Sequence, residues 1–130
     1  MNINNLINEA INARENAYAP YSKFKVGAAV ITQNDNVYTG CNVENASYGG
    51  TICAERVAIC NAVSSGERSI KAIAIVYDEN NFAVPCGICR QFIYEFGAEI
   101  DVIMAKMNGE YKIKKISELL PDGFNGDLIN

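Results

Sequence analysis

Cys53-Ala54-Glu55-Arg56 and Pro85-Cys86-Gly87-Ile88-Cys89-Arg90-Gln91 decide how the rest of this 130-residue chain is read. Each segment closes a loop and opens an apolar run of helical length. The first run is expected from Cys53 to about Ser65, capped by Thr51. Ala54, Val57, Ala58, Ile59 and Ala62 make it apolar nearly all round, as in a buried helix. The second is expected from Gly87 to Phe96 and stops at Gly97.

Strand signals lie on either side of these helices. Phe24 to Thr32 is apolar on both faces beyond Lys25, as in an interior strand. Gln33-Asn34-Asp35-Asn36 is turn chemistry, and Val37 to Cys41 returns as the second arm of a hairpin. Ile70 to Tyr77 is another buried strand, and Ile100 to Met104 is a fourth. Asn108-Gly109 is a strong hairpin signal, so Glu110 to Ile113 should pair antiparallel with that fourth strand. At the N-terminus Ile3, Leu6, Ile7, Ala10 and Ile11 recur at helical spacing, with Asn2 or Asn4 as cap; Pro20 ends the helix by Ala19. Ser117 to Leu120 makes one further helical turn. The pattern predicts an α/β fold, a three-layer α-β-α sandwich around a mixed five-stranded sheet with its last two strands antiparallel. One domain over 1–130 is expected.

Composition narrows the function. The net charge is −4 and no basic block is present; the densest cluster is Lys112, Lys114 and Lys115, expected on the open face of a strand. A nucleic-acid binder would carry a basic footprint, so a small substrate is favoured. No apolar run nears the roughly 18 residues of a membrane span, and Met1 to Ala10 lacks a basic signal-like start. Five cysteines, two of them as Cys-x-x-Cys, do not form a secreted disulfide pattern, so a reducing cytoplasm is expected. The chain has no histidine, which leaves acid–base work to carboxylates, Tyr, Lys or Cys.

The two motifs supply that chemistry. Cys53, Cys86 and Cys89 offer three thiolates, enough to hold Zn2+ with one tetrahedral corner open for water. Helix N-termini favour the thiolate form. Glu55, two residues after Cys53, can point into the site without ligating and move protons. Arg56 and Arg90 directly follow the motifs and are placed to donate N–H bonds to the sulfurs, which would temper their charge. Other readings stand beside these. In one, Cys41, Cys60 or a carboxylate closes a structural zinc site as fourth ligand; in another, Cys86 and Cys89 form a redox pair. Glu55 alone would serve as a helix-start carboxylate, and the arginines as surface ion pairs. Cys41 and Cys60 otherwise read as core residues.

The chain resembles the small zinc-dependent cytidine deaminases of homotetrameric type, nearly end to end. Cys-x-Glu followed by Pro-Cys-x-x-Cys is the three-cysteine form of the signature by which zinc deaminases are generally described. Further likeness lies in Tyr18-Ala19-Pro20-Tyr21-Ser22-Lys23-Phe24, in Gly40-Cys41-Asn42-Val43-Glu44-Asn45-Ala46-Ser47-Tyr48 and in Leu119-Leu120-Pro121 with Phe124. The resemblance implies hydrolytic deamination of cytidine and 2′-deoxycytidine with ammonia released, that is, a hydrolase acting on a cyclic amidine C–N bond in pyrimidine salvage. It implies one Zn2+ per subunit on Cys53, Cys86 and Cys89, with Glu55 as proton shuttle. It implies ribose contacts from Asn42 and Glu44, packing on the nucleoside by Phe24, and reading of the base edge by the Ala54 backbone. Phe124 matches an aromatic that reaches a neighbouring subunit's site, and Tyr48 lies in a segment that resembles a subunit contact. Two alternatives remain: a related deaminase acting on another cytosine-containing molecule such as blasticidin S, and a non-catalytic zinc-stapled binding module.

Overall fold

The computed structural model describes residues 1–129; the last residue of the expected domain lies outside the described residues. In chain order the elements are α1 (Ile3–Arg14), β1 (Gly27–Thr32), β2 (Val37–Cys41), α2 (Ala54–Ser64), β3 (Ile70–Val76), α3 (Gly87–Tyr94), β4 (Asp101–Ala105), β5 (Tyr111–Lys115) and α4 (Ile116–Leu119). The five strands form one sheet in the order β2-β1-β3-β4-β5. Only the β3–β4 pair is parallel; β1–β2, β1–β3 and β4–β5 are antiparallel. The sheet is therefore mixed, and its last pair runs as the Asn108-Gly109 signal predicts. Gly109 takes φ +92° in that turn, a conformation that a side chain would strain.

Strand alternation sorts the core into two layers. Ala28, Val30, Ile73, Ile75, Val102 and Met104 face α2 and α3, together with Ala58, Ile59, Ala62 and Ile93. Ala29, Ile31, Ala72, Ala74 and Val76 face α1, through Leu6, Ile7 and Ala10. Helices thus cover both sides of the sheet. Asn2 caps α1, its side chain accepting the Asn5 N–H at 3.1 Å. Small residues let α1 lie very near the sheet. A Cβ on Gly27 would sit 2.0 Å from the Ala10 carbonyl oxygen and 2.7 Å from the Arg14 nitrogen. Because these are backbone atoms, they cannot swing aside. Gly27→Ala is expected to cost at least about 1–3 kcal/mol, read as a lower urea midpoint with an unchanged slope.

Three local expectations need correction. Phe24 to Val26 does not join β1. The Asn42 side chain occupies their backbone instead, accepting the Val26 N–H at 3.0 Å and donating to the Phe24 carbonyl at 2.8 Å. Cys60 is exposed on α2 and not in the core, because the buried side of that helix is taken by Ala58, Ile59 and Ala62. Lys115 does not share a face with Lys112 and Lys114; it points the other way along β5 and pairs with Asp101 at 2.8 Å.

A buried carboxylate fastens the far end of the β1–β2 hairpin. Glu67 is 8 % exposed and accepts from Asn34 (3.1 Å), Asn36 (2.7 Å) and the Tyr38 hydroxyl (3.3 Å). These donors, Asn36 first, outweigh burial and hold its pKa below the ordinary glutamate value. A depressed folded pKa gives stability that is present above the unfolded pKa and lost as pH falls through the folded one. Glu67→Gln is therefore expected to melt below the wild type at neutral pH. The gap should narrow on acidification below the ordinary glutamate range, which thermal melts across pH 3 to 7 would show (about 4.3 being the unfolded value).

Candidate active site

Both motifs put their first cysteine at a helix cap. Cys53 caps α2 and Cys86 caps α3, each with extended backbone (φ −72°, ψ 153°; φ −67°, ψ 170°). Thr51 does not cap α2 as expected; its hydroxyl accepts the Asn45 N–H at 3.3 Å, within the preceding loop. A cap residue directs its side chain over the first-turn N–H groups. Accordingly the Cys86 sulfur accepts the Cys89 N–H at 3.5 Å. Cys89 then lies one turn on, fully buried. The two helix starts bring Cys53, Cys86 and Cys89 together, with all three sulfurs within 4.8 Å of one another. Among the described residues no other such group of three or more Cys, Asp or Glu forms. Cys41 and Cys60 stand outside it, which removes them as a fourth ligand.

The sulfurs fit a zinc ion on two grounds. Sulfurs about 2.3 Å from a tetrahedral ion lie about 3.8 Å from one another, and Cys53 Sγ to Cys86 Sγ is 3.9 Å. The donor set also calls for a cation. The Cys53 thiol is lowered to about 5, chiefly by the Cys89 S–H and also by Arg56, while the Cys89 thiol is pushed well up because it is bonded to Cys53 and buried. Sulfurs this close resist ionising together. A divalent cation removes that conflict and lets all three ionise.

Glu55, second residue of α2, is 2 % exposed and lines a cavity of about 180 Å3. Burial pushes its carboxyl up to about 7; its own backbone N–H opposes the shift, and the Cys53 charge reinforces it. Phe24, Val26, Asn42, Thr51, Cys53, Tyr77 and Cys86 complete the cavity wall. The Phe24 and Tyr77 rings meet edge to face, centroids 5.1 Å apart. A second recess of about 270 Å3 shares Thr51 with the first and is lined by Tyr21, Ser22, Glu44, Asn45 and Tyr48.

The remaining candidates divide. Ala54 is buried at the first position of α2, beside Glu55. Asn42 faces the cavity while bracing the Phe24–Val26 backbone. Glu44 accepts the Tyr21 and Ser22 N–H groups at 2.9 and 3.1 Å, and also the Ser22 hydroxyl. These bonds, the Ser22 hydroxyl first, hold its pKa down and keep it ionised. Arg56 Nη2 lies 3.7 Å from Cys53 Sγ and 3.4 Å from the Thr51 carbonyl. Arg90 turns away from the sulfurs: Nε donates to the Pro85 carbonyl and Nη1 to the Leu119 carbonyl, both at 2.9 Å. It braces the turn before Cys86 and ties α3 to α4. Phe124 is 53 % exposed and outside the cavity wall, its backbone clamped by the Gln91 amide at 2.6 and 3.2 Å. Tyr48 is 75 % exposed, at the outer recess.

Sequence reasoning missed Tyr77, Thr51 and Val26 as cavity residues. Tyr77 follows the last residue of β3, at the carboxyl end of a strand in the parallel pair. Open α/β sheets place ligands at such ends, and that signal would have found it.

The family model of the cytidine and deoxycytidylate deaminase zinc-binding region matches residues 1–106. The cytidine deaminase of Halalkalibacterium halodurans is 47 % identical over 126 residues, spanning 96 % of this chain and 96 % of that one. That of Sporosarcina psychrophila is 45 % identical over 126 residues, spanning 96 % and 93 %. The crystal structure of cytidine deaminase from Burkholderia pseudomallei superposes with a TM-score of 0.91 at 46 % identity, covering 95 % of this chain and 100 % of that one.

Proposed function

The chain belongs to the cytidine and deoxycytidylate deaminase zinc-binding family, and on that footing we propose that Glu55 drives the hydrolytic deamination of cytidine and 2′-deoxycytidine to uridine and 2′-deoxyuridine. The observation that carries this reading is the placement of one buried carboxyl in the same small cavity as the Cys53 and Cys86 sulfurs. Cys53, Cys86 and Cys89 hold one Zn2+ per subunit. When bound, the ion supplies a Lewis acid that brings the acidity of water near neutrality.

The chain's own groups do the rest. A carboxyl that burial raises from its ordinary value toward neutrality is suited both to take and to return a proton. Glu55 accepts a proton from water as the new C4–O bond forms and delivers it to N3. It then passes the second water proton to the amino group, so that the C4–N bond breaks and ammonia leaves. Atoms balance: one water and one cytidine give one uridine and one ammonia. Phe24 packs on the base. The Ala54 backbone, at the open end of α2, reads the base edge. Arg56 holds the Cys53 sulfur in place and offsets its charge.

The 180 Å3 cavity is below the roughly 300 Å3 at which drug-sized pockets begin. It suits a single ring, with the sugar directed to the outer recess. Asn42 retains a lone pair and an N–H beyond its backbone bonds. Glu44 uses three of about four acceptor sites on its own loop and keeps one for a sugar hydroxyl. The antiparallel β4–β5 pair supports a free nucleoside as substrate over a polynucleotide.

The assembly is read as a homotetramer, with Tyr48 and Phe124 at contacts between subunits. Their exposure supports this reading. The compartment is read as the cytoplasm, where thiols stay reduced; among the described residues no helix is long and apolar enough to cross a membrane. We take 1–130 as one domain. The test is a side-by-side assay of zinc-loaded protein on cytidine, deoxycytidine, cytosine, blasticidin S and an oligonucleotide. The two nucleosides are expected to react fastest, releasing ammonia one for one. A zinc-replete protein inert on both nucleosides would refute the reading.

A further inference from the structure

We propose that Tyr77 is a specificity-determining residue: its ring is a fixed wall of the base pocket and sets the size of pyrimidine that the pocket admits. The inference rests on the nucleoside-deaminase reading above. Tyr77 is half-buried and pinned at four points. Its backbone continues from Val76, which is paired with Gly27 and Ala105 in the middle of the sheet. Its carbonyl accepts from Arg14 Nε on α1. Its hydroxyl donates to the Val84 carbonyl, two residues before Cys86. The ring itself packs on Phe24.

Two consequences follow. A side chain held by ring, hydroxyl and backbone does not swing aside for a larger ligand. And because the hydroxyl is bonded to Val84, what Tyr77 offers the cavity is hydrocarbon. It therefore selects by size and not by hydrogen bonding. Tyr77 lines the same cavity of about 180 Å3 as Cys53, Glu55 and Cys86, where the amino-bearing carbon must go. With that carbon beside the sulfurs, a substituent on C5, the next ring carbon, is the one this inference sets against the Tyr77 ring. In a rigid apolar pocket one methyl group changes preference by about 10–200-fold.

The experiment compares wild type, Tyr77→Phe, Tyr77→Leu and Tyr77→Ala, each with zinc content matched. Affinities for uridine and 5-methyluridine are measured by calorimetry, and kcat/KM for cytidine and 5-methylcytidine by absorbance. The wild type is expected to disfavour the methylated member of each pair by about tenfold or more. Tyr77→Ala should reduce that preference by about tenfold, with Tyr77→Leu, the better-packed variant, moving in the same direction; Tyr77→Phe should keep it. A wild type indifferent to the methyl group overturns the proposal. So do an unmoved preference in Tyr77→Leu and Tyr77→Ala, and a Tyr77→Phe that behaves like Tyr77→Ala. A wild type that neither converts cytidine nor binds uridine overturns the deaminase reading instead.

Discussion

Glu55→Gln is expected to lower kcat on cytidine by about 10²–10⁴-fold while zinc content stays at one per chain. Gln keeps the shape of the side chain and its place at the start of α2 but can neither take nor return a proton. Among the described residues no other carboxyl lines the cavity, and the chain has no histidine to replace it. Glu44, in the adjoining recess, is held ionised by Tyr21 and Ser22 and faces the sugar side. The change should therefore fall on kcat and leave KM within a few-fold, since Glu55 acts on protons that move in the reaction and not on the resting nucleoside. Equal metal content separates this outcome from damage to the sulfur cluster. A variant within tenfold of wild type would mean that another group carries the protons.

Cys89→Ala is expected to abolish both zinc retention and turnover. Residues that merely support a ligand typically cost 10–100-fold in metal affinity when removed, so loss of a ligand itself should exceed about 100-fold. Cys89 is fully buried and also bonds Cys53, which makes it the hardest of the three to replace. Dialysis against a chelator should reproduce the loss in the wild type, and added Zn2+ should restore activity there but not in the variant. The melting temperature should drop with it, because the ion binds only the folded chain. Cys60→Ala, on the exposed side of α2, is the matching control and should leave zinc and rate unchanged. Zinc retained by Cys89→Ala would require a ligand set other than the cluster described.

Much of this arrangement is legible in the residues because local and global signals agree. The apolar runs Gly27–Thr32 and Ile70–Val76, the Asn108-Gly109 turn and the two cysteine-led helix starts each specify one element. Together they allow few sheets. The sulfur cluster is legible for the same reason, since spacing at two helix caps fixes where the side chains point. What the sequence leaves hidden depends on partners distant along the chain. Phe24 to Val26 looks like strand, yet Asn42 claims its backbone. Arg90 looks poised for the sulfurs, yet the carbonyls of Pro85 and Leu119 hold it. Tyr77 looks like the end of a core strand, and only the folded position of Phe24 turns it into a pocket wall. Cys60 reads as core by residue type, but helix phase turns it outward.

X-ray absorption at the zinc edge counts sulfurs directly, and it addresses the claim on which the chemistry depends. Three sulfurs and one lighter donor is the expected shell, with the lighter donor exchanging when uridine is added. Four sulfurs, unchanged by nucleoside, would show a site closed by protein and would contradict the account.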